Sequence, residues 1–104
     1  MGTNLIHELT AAAKPFALRV ERTPHSIMPD LVFSHPTDGR ELARLRWFET
    51  EGQAPYLRTV IPVEISPEEQ REVERHITEH VRPVIQRRFS YAAWIALADP
   101  QPPA

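Results

Sequence analysis

The chain has no cysteine, which excludes disulfides, thiolate metal sites and cysteine nucleophiles. Its three glycines, Gly2, Gly39 and Gly52, stand far apart, so no glycine-rich loop is available to cradle a phosphate. No apolar run approaches the ~18 residues that a membrane span requires. Glu8 stands where a secretory signal would carry its basic start and apolar stretch, and cytoplasmic residence is the default expectation. Lysine is nearly missing as well: Lys14 is the only one beside eleven arginines, and there are eleven prolines. That balance fits a GC-rich genome, bacterial or phage. The formal net charge of −2 gives no overall attraction to nucleic acid or to an anionic membrane.

What is present reads as one domain. A chain of 104 residues can bury roughly 65% of its unfolded surface, enough for a core without staples. The domain is expected over 1–98. A proline-rich tail, Asp99-Pro-Gln-Pro-Pro-Ala104, follows it and should fray.

The strongest local signal runs from Ser66 to Phe89. Ser66, Pro67, Glu68 and Glu69 form a helix start. Ser66 can accept from the N–H of Glu69, and Pro67 sits where a missing donor does no harm. Val73, Ile77, Val81, Val84 and Ile85 recur on one face. Pro83 interrupts them and would clash with the carbonyl four residues back, so the helix is expected to kink there or to stop near Arg82 and restart.

Upstream, Asn4 caps a first helix ending before Pro15, with Leu5, Leu9, Ala12 and Ala13 on one side. Phe16, Leu18 and Val20 alternate as a half-buried strand. Thr23-Pro24-His25-Ser26 and Pro29-Asp30 read as turn material. Leu31–His35 and Glu41–Glu49 form a hairpin across Pro36-Thr37-Asp38-Gly39. A three-residue loop sets Phe33 opposite Ala43, Leu31 opposite Leu45 and His35 opposite Glu41, with Gly39 as the left-handed residue. Tyr56–Ile65 is the next strand. Symmetry about Gly52 sets Trp47 opposite Leu57 within the sheet, with Phe48 opposite Tyr56 and Arg46 opposite Arg58 on the outer face. Leu57, Ile61, Val63 and Ile65 point inward, and Pro62 marks an edge. The segment from Ser90 to Ala98 is apolar all round, to be buried in the fold or against another subunit. The expected fold is therefore α+β: an antiparallel four-stranded meander in the order α-β-β-β-β-α, with the N-terminal helix and the long C-terminal helix packed on one face.

His76-x-x-Glu79-His80 resembles, over these five residues, the zinc-binding string of the inverted zinc proteases, in which two histidines bind zinc and the glutamate acts as base. Such a site needs a third ligand downstream, and Asp99 is the only carboxylate after His80. None of Ser26, Ser34, Ser66 and Ser90 sits in a nucleophile elbow. Glu68/Glu69 and Glu72/Glu74 belong to a solvated helix face. The order of elements distantly resembles the double-stranded-RNA-binding layout, but the lysine-rich start of that family's last helix is replaced by Pro67-Glu68-Glu69.

The outer sheet face is the richer surface. Arg44, Arg46 and Arg58 share it with Phe48 and Tyr56. Arg46 opposite Arg58 is a like-charge pair that needs a counter-ion, either Glu21, Glu64 or an anionic partner. Arginines among aromatics suit protein contacts and also single-stranded nucleic acid. The expected function is a small non-catalytic protein-binding module without cofactor or metal. It would use Arg44, Arg46, Phe48, Tyr56 and Arg58 as its binding face, and Phe89, Tyr91, Trp94, Ile95 and Leu97 as an interface, in a homodimer. Alternatives are nucleic-acid binding through Arg44, Arg46 and Arg58, or metal-dependent chemistry at His76, Glu79 and His80.

Overall fold

The computed structural model describes residues 4–24 and 26–98; His25 and the proline-rich tail lie outside the described residues. Asn4 caps α1 (Leu5–Ala13), its side chain accepting from the Ile6 N–H. Four strands follow: β1 (Ala17–Thr23), β2 (Ser26–Ser34), β3 (Glu41–Phe48) and β4 (Tyr56–Val60). They form one antiparallel sheet in sequence order, a meander with β1 and β4 at its edges. The remaining helices are α2 (Pro67–His76), a π-helical turn (Ile77–Val81), α3 (Arg82–Arg87) and α4 (Tyr91–Ile95), closed by a 3₁₀ turn (Ala96–Ala98). Among the described residues no helix is long and apolar enough to cross a membrane.

Alternation along the strands builds the core. Leu31, Phe33, Ala43, Leu45 and Trp47 point to one face and are buried beneath Leu9, Ala13, Val73, Ile77, Val81 and Ile85. Ser66 accepts from the Glu69 N–H at 3.2 Å, as its place before Pro67 requires. The helix is broken ahead of Pro83, as expected: α2 gives way to a wider turn, and α3 restarts at Arg82. In that turn the Arg82 N–H donates to the Ile77 carbonyl five residues back. This relieves the clash between the proline ring and the Glu79 carbonyl. It also serves packing. Val73, Ile77, Val81 and Ile85 are all buried at four-residue spacing. In an α-helix each such step overshoots a turn by about 40°, and the wide turn takes up part of that drift.

The apolar pairs of the first hairpin and the register of the second agree with the sequence reading. Leu31 faces Leu45 and Phe33 faces Ala43; Trp47 faces Leu57, Phe48 faces Tyr56 and Arg46 faces Arg58. Gly39 and Gly52 take left-handed φ values of 75° and 82° in the two turns.

Three expectations need correction. First, Pro29 and Asp30 are not in a turn. β2 starts at Ser26 and runs through them, and the irregularity is absorbed by Ile27, Met28 and Pro29 standing against Arg22 alone. Second, Glu41 faces Ser34 rather than His35, because the pairing slips after Phe33. Leu42 is the extra residue, and both it and Ala43 are buried. His35 instead turns its Nδ1 to the Thr37 N–H at 3.2 Å. Third, β4 ends at Val60. Past the donorless Pro62 the chain turns, leaving Val63 fully exposed rather than inside, while Ile65 returns to the core.

Candidate binding surface

The sheet face opposite the helices is built around a carboxylate that the sequence reading had placed in a turn. Asp30 lies on the central strand β2 and is 1% exposed. Its Oδ2 accepts from Arg44 Nη1 at 2.8 Å and from Arg46 Nη2 at 2.9 Å. Arg44 also donates from Nη1 to Glu21 at 3.1 Å. It grips Glu41 through Nε at 2.9 Å and Nη2 at 2.6 Å. Residues three apart on a strand normally face opposite ways; the extra residue at Leu42 is what brings Glu41 round to Arg44. Arg19 completes the lattice, donating to Ser34 at 3.2 Å and to Glu21 at 3.3 Å. Beneath these groups lies Val32, fully buried between its cross-strand neighbours Arg19 and Arg44, whose aliphatic stems shield it.

These contacts set the electrostatics. Hydrogen bonds from Arg44 hold the Glu41 carboxyl below its usual value, against a smaller opposing effect of burial. The same bonds push the Arg44 guanidinium up, so it stays charged. The Arg44 side chain keeps 14% of its exposure and that of Arg46 41%. Arg44 is therefore an interior element of the lattice, whereas Arg46 reaches solvent.

The like-charge pair of Arg46 and Arg58 is resolved by two devices. Asp30, not Glu21 or Glu64, neutralises Arg46. Arg58 lies over the ring of Phe48, 5.6 Å from its centroid. Phe48 in turn stacks on Tyr56, with centroids 5.8 Å apart and planes 16° apart. Of the five residues expected on this face, Phe48, Tyr56 and Arg58 thus form one stacked patch at the β3–β4 end, with Arg46 beside it and Arg44 drawn inward.

The apolar segment after α3 lies on the helix-bearing side and does not cover this face. Trp94 and Leu97 are buried in the core, with Ile95 packed against it. Trp94 Nε1 donates to the Pro29 carbonyl at 2.9 Å. Trp47 is flanked by Trp94 and by Phe89, which stacks on it at 5.0 Å; Tyr91 meets it edge-on at 6.0 Å. Phe89 and Tyr91 stay exposed. Tyr56 and Phe89 line a cleft of about 250 Å³ between β4 and α3, with Leu57, Arg82, Ile85 and Gln86. Tyr56 is thus shared between the stacked patch and the cleft.

The histidines of the zinc-like string lie elsewhere. His76 and His80 approach with ring centroids 4.6 Å apart, and His80 Nε2 is 4.0 Å from Glu79. His76 Nε2 is 2.8 Å from the Ala12 carbonyl, to which it donates, so that nitrogen has no lone pair for a metal. Among the described residues no group of three or more His, Cys, Asp or Glu is placed to hold a metal ion.

Asp30 is the residue that sequence reasoning missed, and the signal was available. With Leu31 opposite Leu45, one further step along the ladder sets Asp30 opposite Arg46.

No family model, curated protein or solved structure matches this chain.

Proposed function

We propose that this chain is a small non-catalytic protein-binding module. The observation that carries the reading is the run of rings around one sheet edge: half-buried Phe48 stacked on exposed Tyr56, Arg58 over Phe48, exposed Phe89 sharing the cleft with Tyr56, and exposed Tyr91 edge-on to Trp47. Tyrosine, other aromatics and arginine are the residues that dominate protein interfaces. Their rings are already held by neighbours, so little side-chain freedom is lost on contact. Nucleic-acid binding is less well supported. Arg44 and Arg46 are engaged by Asp30, Glu21 and Glu41, and a phosphate would have to displace those carboxylates.

The test is a photo-crosslinking amino acid placed at Tyr56, with the exposed Arg71 on α2 as control, in cells of the source organism. A discrete crosslinked protein from position 56 and none from position 71 is the expected result. Crosslinks to nucleic acid, or equal yields at both positions, would refute the reading.

A further inference from the structure

Arg82 opens α3 and faces the outer edge of β4 across the cleft. Its Nη2 donates to the Leu57 carbonyl at 3.2 Å and to the Thr59 hydroxyl at 3.0 Å. Both acceptors are neutral. Arg19, Arg40, Arg44, Arg46 and Arg88 each have a carboxylate partner; among the described residues Arg82 has none. Arg82 as a whole is half-buried, so water hydrates it only in part. A guanidinium carries five N–H donors in a planar fork, and here the contacts fall on one nitrogen. The walls around it are largely apolar: Leu57, Ile85 and the rings of Tyr56 and Phe89. A half-buried cation among apolar walls is complementary to a carboxylate borne by an apolar group.

Three features decide what bears that carboxylate. The cleft, at about 250 Å³, is smaller than the roughly 300–1,000 Å³ of pockets that enclose whole small ligands; it has room for one large side chain. The Leu57 carbonyl, which a strand added to this edge would need, is already held by Arg82, so a peptide must approach by its end rather than pair along β4. The cleft also continues through Tyr56 into the stacked patch, which gives the rest of a protein partner somewhere to rest.

We infer that the cleft between β4 and α3 captures the C-terminal residue of a partner protein, its terminal carboxylate on Arg82 and an apolar side chain between Tyr56, Ile85 and Phe89. This rests on the protein-binding reading and names the chemistry that the partner presents.

The test uses the full chain. Short random peptides with free C-termini are selected against it. The best binder is then measured by fluorescence anisotropy as free acid and as C-terminal amide, beside 3-phenylpropionate as a free small acid. Selection is expected to enrich a large apolar last residue. Amidation and Arg82→Gln should each weaken binding on the order of ten- to a hundredfold, the range for a charge-assisted hydrogen bond. Arg82→Lys should lose less. Because Arg82 also braces β4, Gln86→Trp provides the second variant: it alters only an exposed rim position and should block entry while leaving the fold intact. No preference at the last residue, equal binding of the amide, or unchanged binding to Gln86→Trp overturns the inference. If 3-phenylpropionate binds as tightly as the best peptide, the occupant is a free acid and the protein terminus is refuted. A protein crosslinked through position 56 alongside any of those failures leaves the module standing and removes only its terminus specificity.

Discussion

Asp30 is a carboxylate on a central strand, almost fully covered and reached by two guanidinium groups from β3. Asp30→Asn keeps the shape and removes the charge. Arg44 would retain Glu21 and Glu41, but Arg46 would have no carboxylate among the described residues. Removing one partner of a buried pair is strongly destabilising because the other charge is stranded. Arg46 can partly rehydrate, which moderates the effect, so the expected loss is about 2–3 kcal/mol. A urea titration should show it as a lower midpoint with an unchanged slope. The same residue marks a limit of sequence reading. Pro29-Asp30 has the composition of a turn, and local chemistry alone supports that reading. Only the pairing of Leu31 with Leu45 places Asp30 opposite Arg46, so a tertiary constraint overrides the local signal. Arg46, Phe48, Tyr56 and Arg58 were legible because plain alternation and turn symmetry fix them; the inward pull on Arg44 depends on Asp30 and on the extra residue at Leu42.

At the scale of elements, the two hairpins turn on Gly39 and Gly52. Both have positive φ, and a Cβ added at either would meet no atom within 4 Å. Alanine at these sites therefore isolates backbone strain from packing. Gly39→Ala and Gly52→Ala are each expected to destabilise by about 1–2 kcal/mol, lowering the melting temperature by roughly 4–8 °C per kcal/mol. An unchanged melting temperature for either would show that its turn relaxes to another type. These turns were readable because glycine has few other reasons to stand between alternating segments. The π-helical turn was not. Pro83 announced a disturbance, but a kink and a stop were the two outcomes that propensity offers. The choice of a widened turn came from four apolar side chains, Val73, Ile77, Val81 and Ile85, that must all reach one core. β4 was read too long for a related reason: apolar residues continue to Ile65, and only the turn after Pro62 sends Val63 outward while returning Ile65.

For the whole molecule, the apolar segment after α3 bears on association. Its all-round apolar character gave the reason to expect a homodimer. Trp94 and Leu97 find their burial within the protomer, leaving Phe89 and Tyr91 as the exposed remainder. Light scattering at low micromolar concentration is therefore expected to return the mass of one chain, 12.0 kDa. A stable dimer would show that those two rings and their surroundings suffice for self-association. The architecture itself, a meander with helices on one face, was legible throughout, since alternation with period two and period near four divides this chain cleanly.

The bond from Trp94 to the Pro29 carbonyl has a bearing on biosynthesis. Pro29 belongs to the second strand and Trp94 to the last helix, so the sheet lacks one of its buried donors until the final part of the domain has been translated. A nascent chain that has released only the four strands holds an open carbonyl at the irregular stretch of β2 and a Trp47 without its flanking rings. Folding on the ribosome should consequently wait for the segment around Trp94 to clear the exit tunnel. Nascent chains arrested before that point should remain open to proteases that spare the finished domain.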